Sequence, residues 1–301
     1  MFLFLINLVT KSHDEDDQVL AKLENRRTLP KTIDDEFQII DLKNEPPTDR
    51  LKMKVYKESK KKKKKKINFT LNYILDDVVS QNLINNGVYE LAELKFISKM
   101  LKKNKEKTIF LDVGANIGLY SLVAANSGAK VISVEGLPKN VKILRENVEL
   151  NNFSGKIIIY PYPVGEEQKI CRYYNSKENK ANGIVKCDKK IDETLNFIDQ
   201  FEMKTLDSLL KEDIYFMKID IEDHELQAFK GMQKYLKNYC LKHILLELYS
   251  YYAVEEYWQI FQQNHFELYF FDGDIGKKLD HKDWEDFGKT GLRVNFYAKN
   301  M

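Results

Sequence analysis

The spacing of apolar residues changes character along this chain. Through residues 10–58 they are sparse and follow no regular period, and the acidic run Asp14-Glu15-Asp16-Asp17 and the breaker Pro46-Pro47 interrupt them further. From Ile67 the pattern becomes that of a folded domain. Leu91, Leu94, Ile97 and Leu101 recur at helical spacing and predict a helix over 88–102, with lysines at the end that opposes the negative pole of its dipole. Strands and helices then alternate. Ile109–Val113 reads as a buried strand, Leu119–Ser127 as a helix closed by Gly128, and Lys130–Val134 as a second strand. Pro138–Leu150 reads as a helix with proline at its first turn, and Lys156–Tyr160 as a third strand.

Residues 161–204 are less regular, with an amphipathic strand around Ile170–Tyr174 and a polar loop through Asn182-Gly183. The alternation resumes with strand Tyr215–Ile219, helix Glu222–Lys237, strand His243–Leu248 and helix Val254–Gln263. Two last strands, near Phe266–Phe271 and Arg293–Ala298, are separated by what reads as a loop. Strands alternating with helices of 10–15 residues predict a doubly wound α/β domain with a mostly parallel sheet. The loop between the last two strands predicts an antiparallel hairpin at one edge. The domain is expected to span 67–301, preceded by a disordered leader, 1–66.

Charge sharpens that division. The leader carries 17 Lys/Arg against 12 Asp/Glu, including seven consecutive lysines at 60–66, whereas the remainder carries 31 against 34. A nucleic-acid enzyme concentrates positive charge on its folded part, so this distribution argues against nucleic acid as a partner of the core domain. Met1–Val9 is apolar but far short of the ~20 residues that span a bilayer. It also lacks a basic flank and a small-residue cleavage site; a cytoplasmic chain is the expectation, with a secretory or membrane-associated form as the alternative that the short apolar run leaves open. Three cysteines, Cys171, Cys187 and Cys240, include no CxxC pair. An odd, scattered set predicts buried free thiols rather than a disulfide framework or a zinc site. Nothing in the pattern specifies an oligomer.

The chemistry concentrates in Phe110-Leu-Asp112-Val-Gly114-Ala-Asn116-Ile-Gly118-Leu-Tyr120-Ser121. This glycine-rich turn follows a buried strand and opens a helix, at the sheet end where open α/β folds bind ligands. Asn116 breaks the G-x-G-x-x-G spacing of dinucleotide sites, and no G-x-x-x-x-G-K-[ST] phosphate loop is present. Asp112 decides further, because a carboxylate there repels a pyrophosphate. S-adenosylmethionine carries a sulfonium and an ammonium, both attracted to a carboxylate. Glu135, ending the second strand, can accept the ribose hydroxyls of an adenosyl group. The candidate cofactor-binding residues are therefore Asp112, Gly114, Asn116, Gly118 and Glu135.

With these residues placed, the chain resembles the FkbM family of S-adenosylmethionine-dependent methyltransferases. The resemblance runs from about 75 to 250. It rests on Gly87-Val-Tyr-Glu90, Asp112 to Gly118, Glu135-Gly-Leu-Pro138, Asn147, Asn151, Thr205-Leu-Asp207 and Lys218-Ile-Asp220-Ile-Glu222-Asp-His224-Glu225. It implies the class I methyltransferase (Rossmann-like) fold with a seven-stranded sheet, and methyl transfer to a hydroxyl of a small molecule, sugar or lipid-linked glycan. Two positions depart from the family pattern: Gly136 stands where proline is usual, and Asp223 where glycine is usual.

The segment Lys218–Glu225 leaves a strand at the carboxyl end of the sheet, facing the same crevice as the cofactor loop. Asp220, Glu222 and His224 are the candidate base or substrate-orienting groups, and Glu225 is a candidate support. No spacing requires a metal. Glu247 and Tyr249 are expected on the acceptor side, with Asn182 and Gly183 in a loop over the pocket. The late aromatic cluster Tyr249, Tyr251, Tyr252, Tyr257 and Trp258 reads first as core packing. Two other functions fit the same residues: a protein or RNA methyltransferase docking through the basic leader, and a non-catalytic S-adenosylmethionine-binding relative.

Overall fold

The computed structural model describes residues 89–104, 108–175, 183–187, 196–238, 241–249 and 254–301, with the stretches 38–39, 52–56 and 69–72 and the single residues 79 and 82. The lysine run 60–66, Asn182, Cys240, Tyr251 and Tyr252 lie outside these residues. Strands β1 (Gln38–Ile39), β2 (Lys52–Tyr56) and β3 (Phe69–Asn72) pair antiparallel in that order. Two strands thus fall within the segment read as a leader, and the β2–β3 pairing crosses its boundary.

The main sheet and its helices follow. They are α1 (Leu91–Lys103), β4 (Ile109–Val113), α2 (Leu119–Asn126), β5 (Lys130–Val134), α3 (Pro138–Leu150) and β6 (Ile157–Tyr160). A flanking sheet holds β7 (Lys169–Asn175), β8 (Gly183–Lys186) and β9 (Asn196–Met203), in the order β8-β7-β9. The chain returns through α4 (Leu206–Leu209), β10 (Ile214–Ile219), α5 (Glu225–Lys230), α6 (Gln233–Lys237) and β11 (Leu241–Tyr249). It ends with α7 (Val254–Gln263), β12 (Phe266–Phe271), β13 (Ile275–Lys278), α8 (His281–Gly288) and β14 (Arg293–Asn300).

The sheet order is β13-β12-β14-β11-β10-β4-β5-β6. Strands β6, β5, β4, β10 and β11 are mutually parallel, and β14 runs antiparallel between β11 and β12. Leaving β13 aside, this is the seven-stranded order of class I methyltransferases, as the resemblance implied. Neighbouring residues such as Phe110 and Leu111, or Phe216 and Met217, are fully buried into opposite faces, the period-two signature of a central strand.

Three expectations need correction. The last two predicted strands do pair, but β14 is interior, since Phe296, Tyr297 and Ala298 are all buried; β12 and the unpredicted β13 form the edge hairpin. The connection to β14 is a helix, not a loop, opened by a reciprocal Asp280/Asp283 capping box and anchored by fully buried Trp284. The single helix expected over 222–237 is two short ones. It breaks at Gly231, where the carbonyl of Gly165 packs so close that a Cβ would stand 2.0 Å from it.

The thiol expectation is also overturned. Cys171 and Cys187 form a disulfide. The β7–β8 register, with Arg172 opposite Lys186, sets the two cysteines directly across from one another, a proximity that count and spacing do not reveal.

Candidate active site

The loop after β4 is shaped by its backbone. Gly114, Asn116 and Gly118 all adopt the left-handed region, with φ of 84°, 50° and 97°. Glycine takes this conformation without cost, and asparagine tolerates it better than most residues. At Gly114 there is also no room: a Cβ would lie 1.8 Å from the carbonyl oxygen of Asp220. The cofactor loop and the loop after β10 are therefore in backbone contact, helped by the Asp220 amide donating to the Val113 carbonyl. At Gly118 a Cβ would press on Leu144, so α3 closes the far side of the turn. Asn147 on α3 donates from Nδ2 to the Ile117 carbonyl at 2.7 Å, holding the loop from below.

Glu135 fastens the same loop. Its Oε2 accepts from the Asn116 amide and its Oε1 from the Leu137 amide, each at 2.8 Å. Burial raises its pKa, and those two backbone donors and the Asn140 side chain oppose the rise. Of the four acceptor positions of a carboxylate, three are then used and one stays open for a hydroxyl donor. Asp112 is fully buried, and its Oδ2 accepts from the Ser121 hydroxyl at 2.5 Å, which lies 2.7 Å from that of Ser133. Burial lifts the Asp112 carboxyl to about 6, with the Lys218 ammonium pulling the other way. Among the described residues its Oδ1 has no partner.

Beside this lies a layer of charge assembled from distant parts of the chain. Carboxylate oxygens of Glu90, Asp220 and Glu247 lie within 4.8 Å of one another. Two cations balance them. The Lys218 ammonium, itself buried, sits 2.8 Å from Asp220 Oδ2 and over the Tyr120 ring. Arg293, at the start of β14, places Nε 2.6 Å from Glu247 Oε1 and Nη2 3.6 Å from Asp220 Oδ1 and 3.7 Å from Glu222 Oε2. The Tyr120 hydroxyl donates to Glu90 Oε2 at 2.5 Å.

These surroundings divide the carboxylates into two kinds. Burial opposes ionisation of Asp220, but Lys218 and Arg293 prevail and hold it below the usual carboxylate range. Burial raises Glu247 to about 7, only partly offset by Arg293. An ionised acceptor and a carboxyl that exchanges protons near neutrality thus stand side by side.

The predicted catalytic residues do not all converge. Asp220 lines the crevice. Glu222 is exposed at its rim, and both Glu222 (φ 52°) and Asp223 (φ 70°) take left-handed backbone, so the position where the family has glycine does require positive φ. His224 turns toward Gly165 and Met203, and burial, with the Lys169 ammonium, lowers its pKa and so favours the neutral ring. Glu225 is buried and accepts from the Ile221 amide at 2.7 Å, bracing the turn rather than facing a ligand. Gly183 opens β8, and Tyr257 is core. Lys218, Tyr120 and Arg293 were not singled out as site residues. Two of them stood within the quoted motifs, but the arginine has no local signal because its partners are 46–73 residues away.

The profile of the Methyltransferase FkbM domain matches residues 112–283. Among curated relatives, the hexuronic acid methyltransferase AglP of Haloferax volcanii is 25% identical over 171 residues, covering 53% of this chain and 63% of the relative. A putative protein N5-glutamine methyltransferase of Methanocaldococcus jannaschii is 35% identical over 108 residues, 29% of this chain and 54% of the relative. The 23S rRNA (uracil(1939)-C(5))-methyltransferase RlmD of Shewanella sediminis is 28% identical over 148 residues, 48% of this chain but only 29% of the relative. The chain therefore spans less than two thirds of the length of each. Among solved structures, methyltransferase FkbM of Methylobacillus flagellatus superposes with a TM-score of 0.38 at 16% identity, over 64% of this chain and 43% of that one. With a family profile that matches more than half of the chain, from the buried Asp112 past Asp220 and Glu247, the chain belongs to the FkbM methyltransferase family.

Proposed function

We propose that this chain is an S-adenosylmethionine-dependent methyltransferase acting on a hydroxyl of a small molecule, sugar or lipid-linked glycan. The observation that carries the reading is the orphaned Oδ1 of Asp112, fully buried at the carboxyl end of β4. A buried polar atom without a partner costs about 1–3 kcal/mol, more when charged, and a cationic ligand removes that cost. S-adenosylmethionine, when bound, supplies an electrophilic methyl group on a sulfonium. The residues fit it: Asp112 meets positive charge, Glu135 accepts a ribose hydroxyl at its remaining acceptor position, and Gly114, Asn116 and Gly118 bring the backbone close.

The acceptor lies against the charged layer. Asp220, kept ionised by Lys218 and Arg293, accepts a hydrogen bond from the acceptor hydroxyl and orients it. Most of the rate gain is this positioning. Glu247 takes the proton as the oxygen attacks, Glu222 meets the acceptor at the rim, and neutral His224 supports the loop between them. Glu90, Asp112, Asp220 and Glu247, with Glu222 at the rim, outnumber the cations Lys218 and Arg293 and make the crevice hostile to a phosphate backbone, which favours a sugar over RNA. The relative that methylates a hexuronic acid also favours a sugar, by likeness and not by charge, since a uronic acid is itself an anion.

The test is transfer of labelled methyl from S-adenosylmethionine to uronic-acid glycosides, neutral oligosaccharides, ribosomal RNA and denatured protein in parallel. Label in the carbohydrate fractions is expected. Label confined to RNA or protein would overturn the acceptor class, and cofactor binding without transfer to any of them would favour a non-catalytic relative.

A further inference from the structure

Two features lie outside the crevice and share one chemical requirement. The first is the Cys171–Cys187 disulfide, which ties β7 to β8. Such bonds persist in oxidising compartments and are kept reduced by the thiol pool of the cytosol. Cys171 is fully buried and Cys187 half-buried, so the bond is tied into the packing of that sheet on the Cys171 side.

The second is Asn152-Phe153-Ser154, an N-x-S acceptor sequence for asparagine-linked glycans. It occupies the turn between α3 and β6. Asn152 is exposed, with φ 57°, and Ser154 is exposed, while Phe153 packs onto the core with the Lys156 ammonium over its ring. This turn lies at the amino end of β6, whereas the cofactor loops lie at the carboxyl ends of the strands, so a glycan there leaves the crevice open.

We infer that the protein matures in an oxidising, glycosylating compartment, with Cys171 and Cys187 joined and a glycan on Asn152. In the first reaction the two thiols give up two protons and two electrons to a disulfide-bearing oxidoreductase, which leaves as its dithiol. In the second, Asn152 Nδ2 bonds to the anomeric carbon of an oligosaccharide carried on a lipid pyrophosphate. The bond from that carbon to the phosphate oxygen breaks, the lipid pyrophosphate departs with the electron pair, and Nδ2 loses one proton. The acceptor of the methyl group is then a molecule met in that compartment, which ribosomal RNA is not.

The test uses the full chain in its source cells, alkylated in situ before lysis. Of three cysteines, one is expected to react with maleimide before reduction and all three after it. Peptide mass spectrometry should show 171 linked to 187. Peptide-N-glycosidase should increase the mobility of the protein, with the step due to Asn152 absent in Asn152→Gln. Three thiols free in situ would overturn the inference, and a linked pair with unmodified Asn152 would overturn the glycan assignment. Calorimetry with S-adenosylmethionine on the same preparation keeps the questions apart. Cofactor binding with free thiols sinks only the compartment, and a linked, glycosylated chain that binds no cofactor sinks only the methyltransferase reading.

Discussion

The two walls of the crevice are built on different principles. The cofactor wall, from β4 to the end of β5, is made of neighbours in sequence, fixed by positive-φ turns, backbone hydrogen bonds and burial of its two acids, Asp112 and Glu135. The acceptor wall draws Glu90, Lys218, Asp220, Glu247 and Arg293 from four separate elements and holds them by ion pairs open on one side to solvent. The first arrangement suits a ligand of fixed shape. The second changes with pH and salt and can be altered without disturbing the fold, as expected where members of one family differ in what they methylate.

Substitutions should separate the walls sharply. Gly114→Ala puts a methyl group into the Asp220 carbonyl at positive φ, and overpacking and strain together should cost about 3–5 kcal/mol in urea unfolding. A loss under about 1 kcal/mol would show that the two loops are not locked together. Glu135→Ala leaves the Asn116 and Leu137 amides without their acceptor, so it should cost about 1–3 kcal/mol of stability and weaken S-adenosylmethionine by about 1.5–3 kcal/mol, roughly ten- to hundredfold in Kd. Unaltered affinity would remove Glu135 from the site.

The pH dependence follows from Asp112. Its carboxyl is raised to about 6 in the folded protein from an ordinary 3.8, so its contribution to stability is present below about 4 and lost as pH rises through 6. A cation bound beside it reverses that preference. Cofactor affinity should therefore rise between pH 5 and 7, with proton release on binding, and Asp112→Asn should flatten the profile. A profile of equal slope in the variant would place the proton elsewhere.

On the acceptor wall the stability effects should be small. Asp223→Gly relieves a left-handed acid and should stabilise the protein by about 0.5–1 kcal/mol in thermal unfolding. No change would mean that the turn relaxes without strain. Arg293→Gln breaks half-exposed pairs and should cost under about 1 kcal/mol, yet it should shift the pH profile of turnover upward as Glu247 loses its cation. An unmoved profile would remove Glu247 as the proton acceptor.

The same contrast explains what could be read from sequence. The bounds of β4, β5, α3, α7 and β12 follow from apolar spacing because each is a local pattern with one buried face or two. The cofactor loop was legible for the same reason, since its glycines and acid sit within seven residues of one another. Arg293 was not, because its role depends on β14 inserting beside β11, which no local signal encodes. His224 looked like a base by position, but a glycine 59 residues earlier left the space it turns into. The break at Gly231 and the pairing of Cys171 with Cys187 likewise depend on segments that meet only in the folded chain. Helix α8 was missed for a different reason. Its Asp280-x-x-Asp283 box was present to be read, but no long apolar stripe followed it.

Calorimetry of S-adenosylmethionine with the wild-type protein and with Asp112→Asn, at pH 7, tests the central claim most directly. Saturable one-to-one binding by the wild type, weakened at least tenfold in the variant, is the predicted result. No binding by the wild type, or equal binding by both, would contradict the assignment of this loop to the methyl donor.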